Sequence, residues 1–213
     1  AGREFGMAEQ GKNAEFHRAL NESARLLIQN RPGEAIEKLL PLYQEAPEHP
    51  DVLINLSGAY VLQRKWSKAV ALLTRAVELY PNNAMLWTNL GAAQLGRLET
   101  AGPRQQEQAI AAYQMALKAD PEAPNVHYHL GLIYKERGEL NRACAFFQRA
   151  LEVNPGDRDA RFWLDRMTQL LMEAQQQRRQ DEAGAERGRD STSNGETNGS
   201  HSGGPTGDLR DAP

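Results

Sequence analysis

The sequence predicts an all-α solenoid of stacked helix–turn–helix units, and three observations carry that prediction. One skeleton of residues recurs about every 34 positions between Phe16 and Asp157. Within each copy, apolar residues fall at i, i+4 and i+7 twice over, the spacing of two amphipathic helices. A proline stands near the end of every copy (Pro47, Pro81, Pro121, Pro155), where it cannot continue a helix.

Three copies align without gaps apart from one insertion: Pro50 to Asn83, Ala84 to Ala123 and Pro124 to Asp157. Counted from the start of each, position 7 is Leu56, Leu90 and Leu130, and position 8 is small: Ser57, Gly91 and Gly131. Position 20 is Ala69, Ala109 and Ala143, position 24 is Leu73, Tyr113 and Phe147, and position 27 is Ala76, Ala116 and Ala150. A weaker copy at 16–49 has Ser23, Ala35, Leu39 and Leu42 at the matching places. Small residues at 8 and 20 let two helix backbones approach while the bulky residue at 24 fills the space beside them. One such unit cannot bury its own apolar face, so the copies must stack.

This skeleton resembles the tetratricopeptide repeat, whose unit is 34 residues of helix, turn and helix. The resemblance covers 16–157 and implies a right-handed superhelix with a concave inner face. Two departures stand out. The third copy has six extra residues within Gly96 to Gln105, which read either as a neutral lengthened turn or as an added partner contact. The first copy has Pro41 inside its second helix, which is expected to kink or shorten it.

After Asp157, residues 158–178 read as a capping helix with Ala160, Leu164, Met167 and Leu171 along one side. Residues 179–213 are poor in apolar residues and are expected to be disordered. Residues 1–15 read as a lead-in. The opening Ala1-Gly2-Arg3-Glu4-Phe5-Gly6 has no initiator and carries the Glu-Phe pair that a common cloning site encodes, so the part before Met7 reads as vector-derived.

The 213 residues are 40% hydrophobic and 25% charged, with no apolar run of membrane-spanning length, and a cytoplasmic protein is the expectation. The segment 179–213 holds 4 Lys and Arg against 7 Asp and Glu, which leaves 21 against 21 in the repeat part. A neutral repeat region argues against nucleic acid and anionic membrane surfaces. One cysteine, Cys144, excludes an intramolecular disulfide and a multi-thiolate metal site.

His127 and His129 stand two apart, so on a helix they point about 200° from one another and do not share a metal. His127 occupies position 4, held by Leu53 and Trp87 in other copies, and reads as a packing residue. No phosphate loop, HExxH or nucleophile elbow is present, so catalytic residues, cofactors and metals are expected to be absent.

The functional signal is at position 6 of each first helix: Asn21, Asn55, Asn89 and then His129. The family resemblance implies that positions 2, 5, 6, 9, 12 and 13 face the concave groove, so these residues form a polar ladder along it. A similar asparagine ladder in O-linked N-acetylglucosamine transferases holds peptide main chain, and an amide can donate and accept at once. Around the ladder the resemblance places Leu20, Ala24, Leu27 and Ile28, then Ile54, Gly58, Val61 and Leu62. Met85, Ala92 and Leu95 follow, then Tyr128 and Leu132, with Trp163 from the capping helix.

The family's carboxylate clamp needs Lys or Arg at positions 2, 5 or 6. Here His17, Leu20, Ile54, Met85, Thr88, Asn125 and Tyr128 stand there instead, and only Asn55 matches, so chaperone-tail binding is disfavoured. The expected function is a non-catalytic scaffold or adaptor holding a protein or peptide with apolar anchors. A second reading is assembly with other copies or a larger complex through Phe162, Trp163 and Leu170 on the last helix. A third is a regulatory piece of a multidomain enzyme.

Overall fold

A computed structural model describes residues 2–193, and the side chains of residues 10–184, as an all-helical chain. Among the described residues the order is α1 (Gly2–Ile28), α2 (Pro32–Glu45), α3 (Pro50–Leu62), α4 (Trp66–Leu79), α5 (Ala84–Leu95), α6 (Pro103–Ala119), α7 (Val126–Glu136), α8 (Leu140–Val153) and α9 (Arg158–Ser193). One 3-10 turn, Leu98–Thr100, lies between α5 and α6. The first of two compact units ends at Met167 and holds four helix pairs and the start of α9. The second begins at Thr168, and its described part continues as helix to Ser193.

Each pair is built on the contact its sequence encodes. The alanines at position 20 and the bulky residues at position 24 are fully buried in every copy. Gly91 lies so close to the Tyr113 ring that an added Cβ would stand 2.7 Å from its nearest carbon. Gly131 approaches the Phe147 ring to the same 2.7 Å. In the first two copies serine replaces glycine, and its hydroxyl turns back onto its own helix. Ser23 Oγ donates to the Leu20 carbonyl at 2.7 Å and Ser57 Oγ to the Ile54 carbonyl at 3.0 Å, so both buried hydroxyls are satisfied.

The turns between paired helices share one left-handed residue: Asn30 (φ 55°), Arg64 (φ 57°) and Gly138 (φ 72°). The residue after each closes a helix end, with the N–H groups of Arg31, Lys65 and Glu139 donating to Leu26, Tyr60 and Tyr134 carbonyls at 2.8, 2.8 and 2.9 Å. In the third copy the left-handed residue is Gly96 (φ 65°), two places earlier, and the inserted residues follow it.

Between copies, position 4 reaches back to the closing proline. Trp87 Nε1 donates to the Pro81 carbonyl at 2.8 Å, and His127 Nε2 lies 3.0 Å from the Pro121 carbonyl. A carbonyl only accepts, so His127 carries its proton on Nε2 and does in its copy what Trp87 does in the one before.

Two expectations need correction. Pro41 does not shorten α2, which has 14 residues like α4 and α8. The proline is exposed in the last turns, and buried Leu39 and Leu42 on the other face hold the helix in place around it. The chain from 179 is helical through Ser193 rather than disordered, while the remainder of the expected tail lies outside the described residues. Good helix formers carry the helix into that stretch, with Arg179, Gln180, Glu182, Ala183, Ala185 and Glu186 standing at its start. Side-chain bonds four residues apart add to it, Gln169 Nε2 to Glu173 Oε1 at 2.9 Å and Gln177 Nε2 to Asp181 Oδ1 at 2.8 Å.

Three sets of outcomes follow for stability, all readable by chemical denaturation. Gly91→Ala and Gly131→Ala each lose about 1–3 kcal/mol by overpacking a fully buried ring. Gly58→Ala, whose added Cβ would meet only Asn89 Nδ2 at 3.7 Å, is neutral or gains up to about 1 kcal/mol in helix propensity. Arg64→Gly relieves a left-handed non-glycine and stabilises by up to about 1 kcal/mol, whereas Gly138→Ala costs about that much.

Candidate functional site

Successive first helices stack along one face, α1 on α3 and α3 on α5. α7 breaks this series by packing on α6 and on the 3-10 turn of the insertion. A pocket of about 220 Å³ opens at this break. Val61 of α3, Ala92 and Leu95 of α5 and His129 and Leu132 of α7 line it, at positions 6, 9 and 12 of their copies. Trp66, Leu98 and Tyr113 complete the wall.

Of the predicted groove residues, Leu95, His129 and Leu132 are thus brought together. Leu62 and Met85 are large apolar side chains left 50% and 42% exposed, and Ile28 is 86% exposed. Asn21 is exposed, while Ile54 and Asn55 are half-buried. Leu20 is a correction: it is only 6% exposed and belongs to the core with Ala35, Leu39 and Leu56. It shares the face of Ser23, one turn on, which is wholly buried against α2.

Asn89 has a second job that spacing alone does not reveal. Its Nδ2 donates to the Ile54 carbonyl at 3.2 Å and to Ser57 Oγ at 3.0 Å, tying α5 to α3. Both donors are therefore spent within the fold, and only its Oδ1 remains for a bound chain.

Tyr128 and Trp163 form a separate aromatic cluster. Tyr128 lies edge-on to His129 at 5.9 Å and tilted on Phe147 at 5.9 Å. Burial raises the Tyr128 hydroxyl above its ordinary range, with Asp159 adding to the effect. The Lys135 ammonium stands 4.4 Å from the centre of the Trp163 ring and pairs with Glu136.

Trp66, Leu98 and Tyr113 were missed by sequence reasoning. Leu98 belongs to the insertion, whose apolar residue among Gly96 to Gln105 was a signal that it packs. Tyr113 has the core position 24, and nothing in the period shows that its ring also reaches a cavity.

Family models match this chain as a TPR repeat at 105–136 and as a tetratricopeptide repeat at 26–95 and 124–157. The chain belongs to the tetratricopeptide repeat family. It is 28% identical over 111 residues to anaphase-promoting complex subunit 3 of Schizosaccharomyces pombe, covering 52% of this chain and 16% of that protein. It is 27% identical over 126 residues to the peroxisomal targeting signal receptor of Kluyveromyces lactis, covering 59% and 21%. The crystal structure of a thermophilic TPR protein from Thermus thermophilus superposes with a TM-score of 0.65 at 20% identity, covering 73% of this chain and 82% of that one. This tetratricopeptide chain therefore spans about a fifth of the length of those two curated relatives.

Tetratricopeptide proteins are protein-interaction scaffolds that bind other proteins or peptides and are generally non-catalytic. Among the described residues of this one, no group of His, Cys, Asp and Glu is placed to hold a metal, and no helix is long and apolar enough to cross a membrane.

His129 stacks on Tyr113 with ring centres 5.6 Å apart. Burial holds its imidazole below the usual histidine range, because the apolar wall penalises the charged form. A histidine depressed in the folded state is protonated first in the unfolded one, so stability falls as pH drops below the unfolded value. The stability lost between pH 7.5 and pH 5 is expected to be smaller in His129→Gln than in the parent, as measured by urea midpoints. An equal loss in both would show that His129 is not depressed.

Proposed function

We propose that this protein is a non-catalytic adaptor whose concave face holds an extended segment of another protein. The observation that carries the reading is the convergence of three first helices, α3, α5 and α7, on one uncharged apolar pocket. Exposed Leu62 and Met85 lie on positions assigned to the same face, and half-buried Asn55 supplies a main-chain partner between them. Similarity to a subunit of the anaphase-promoting complex and to a peroxisomal targeting signal receptor supports a chain that holds other polypeptides.

Magnitudes allow it. One well-buried aliphatic anchor contributes roughly 1.5–3 kcal/mol, and micromolar affinity needs about 8 kcal/mol after association costs. Three or four anchors with main-chain hydrogen bonds reach that figure. Since the groove residues named carry no formal charge, the affinity should change little with salt.

A second reading rests on Phe162, which is 60% exposed and packs edge-on against Trp163 at 5.1 Å. It offers an apolar edge for assembly with another copy or a larger complex. A mass by light scattering that rises with concentration, and that Phe162→Ser returns to the monomer, would favour it over the groove.

The groove reading is tested by peptide-library selection on the full chain, followed by affinity measurements on the enriched sequences. Asn55→Ala/Leu62→Ser is expected to weaken these peptides roughly tenfold or more. Asn89→Ala is unsuitable as the probe because it also unties α5 from α3. Peptides indifferent to the double variant, or an affinity that collapses between 50 and 300 mM salt, would overturn the proposal.

A further inference from the structure

The turn between paired helices is charged differently from copy to copy, and the second copy carries its charges against the interest of the fold. In the first and fourth copies, positions 16 and 19 form an ion pair at the start of the second helix. Arg31 Nε donates to Glu34 Oε1 at 2.7 Å, and Arg142 Nη1 to Glu139 Oε2 at 2.6 Å. The second copy has lysine at both places, Lys65 and Lys68, and like charges three apart on a helix repel. They also stand at the start of α4, the end of a helix that disfavours cations. Position 15, just before them, is the left-handed turn residue. Asn30 and Gly138 suit it, yet the second copy places Arg64 there at φ 57°. All three side chains are exposed, and among the described residues none makes an ion pair. Lys68 gains only a ring contact, its ammonium standing 5.9 Å from the centre of Tyr60.

A fourth cation stands beside them at the edge of the groove. Trp66, which follows Lys65, lies against Gly96, where an added Cβ would meet Trp66 Nε1 at 3.7 Å. Arg97 follows Gly96, and it too is exposed and outside any ion pair. Trp66, Gly96 and Leu98 line the pocket of the groove, and half-exposed Leu62 lies two residues before Arg64. Glu99 is the acidic residue nearest to Arg97 in sequence, and it is exposed and in no ion pair.

We infer that this rim receives acidic side chains of the bound segment, which therefore carries Asp or Glu beside its apolar anchors. The inference rests on reading the groove as a peptide-binding face. A carboxylate docked on Lys65 and Lys68 relieves the repulsion that the fourth copy relieves internally with Glu139. The four cations stand outside the first-helix positions that form the family's carboxylate clamp, so they meet the segment where it crosses the turns. Nucleic acid or an anionic bilayer suits the rim less well, because the repeat part is neutral and four cations offer a polyanion only a short strip.

The test selects peptides on the full chain from two pools that share a randomised apolar core, one flanked by Asp and Glu and the other by Asn and Gln. Enriched members are then measured beside their acid or amide counterparts. The parent is expected to prefer the acidic form roughly threefold to tenfold at 50 mM salt. At 300 mM the preference should shrink while the affinity of the shared apolar core remains. Arg64→Gly/Lys65→Glu gives the second copy the turn of the fourth. It should bind both forms equally and melt at or above the parent temperature. Arg178→Ala/Arg179→Glu makes the same change in net charge outside the repeats and should keep the preference.

Equal binding of both forms by the parent, or a preference that survives Arg64→Gly/Lys65→Glu, would overturn the inference. So would a preference lost equally in Arg178→Ala/Arg179→Glu, or a turn variant that melts clearly lower. Phosphatidylserine vesicles or duplex DNA bound through these cations, with no acidic preference among peptides, would assign the rim to another ligand. If both forms bind equally and both are lost in Asn55→Ala/Leu62→Ser, the rim falls and the groove stands. Enrichment of neither pool would bring down both.

Discussion

Everything in this fold depends on how closely two paired helices can approach. In two copies the aromatic ring at position 24 lies so close to position 8 of its partner helix that the available space admits only a glycine, and in the other two a buried leucine stands at 24 with a buried serine at 8. That contact sets the separation within a pair, and with it the angle at which the next pair must stack to bury what remains. Alanines at positions 20 and 27 keep the rest of the interface thin enough for the ring to be the thickest element in it. Other large side chains, such as Leu56, Leu90 and Leu130 at position 7, complete the buried face around that contact. Little is left to long-range contacts, as expected of a solenoid in which each unit touches only its neighbours.

Stacking between pairs uses different chemistry. Apolar contact is supplemented by directed bonds from one copy to the one before: Trp87 and His127 to proline carbonyls, Asn89 to the α3 backbone and Ser57. Tyr80 adds another by donating its hydroxyl to the Glu48 carbonyl at 2.5 Å. Such bonds fix register, because each donor must stand within about 3 Å of its acceptor with its N–H or O–H aimed at it. The ion pairs, by contrast, are mostly exposed and short in sequence range, such as Arg149 with Glu152 and Arg31 with Glu34, and contribute little. Asn89 stands at position 6 of its copy, so even a position assigned to the groove takes part in holding the stack together.

The sequence was most readable where one physical requirement repeats. Four copies of small-against-large at fixed spacing gave the helix pairs and their core, because a missing residue in any copy would leave a void that the others show to be filled. It was less readable where a residue answers two demands. Asn89 was seen as groove amide but not as interhelical tie, since both roles ask for the same side chain. Leu20 was placed on the groove by copying a register from later repeats, whereas its own copy buries that face. Pro41 was weighed by its intrinsic cost alone, while burial of Leu39 and Leu42 across the helix outweighs one lost backbone bond. Beyond residue 178 the poverty of apolar residues points to a chain without a core, yet the helix continues to Ser193 because helix formation needs only backbone bonds and a start on the residues before it.

The insertion in the third copy shows how a repeat frame accommodates something new. Lengthening a turn by six residues changes its closure entropy by only about 1 kcal/mol on the logarithmic scaling for flexible loops, so the frame has little need to adjust. It does not: Ala109, Tyr113 and Ala116 stay buried like their counterparts on α4 and α8. An idle loop would leave its side chains in solvent, yet Leu98 turns in to meet α7 and forms one wall of a cavity. The inserted turn supplies one wall of that cavity through Leu98, and the side chain at position 24 of the same copy, Tyr113, supplies another. Both meet residues of α3, α5 and α7 whose places in the repeat are positions 6, 9 and 12, so the insertion closes a cavity that the first helices open.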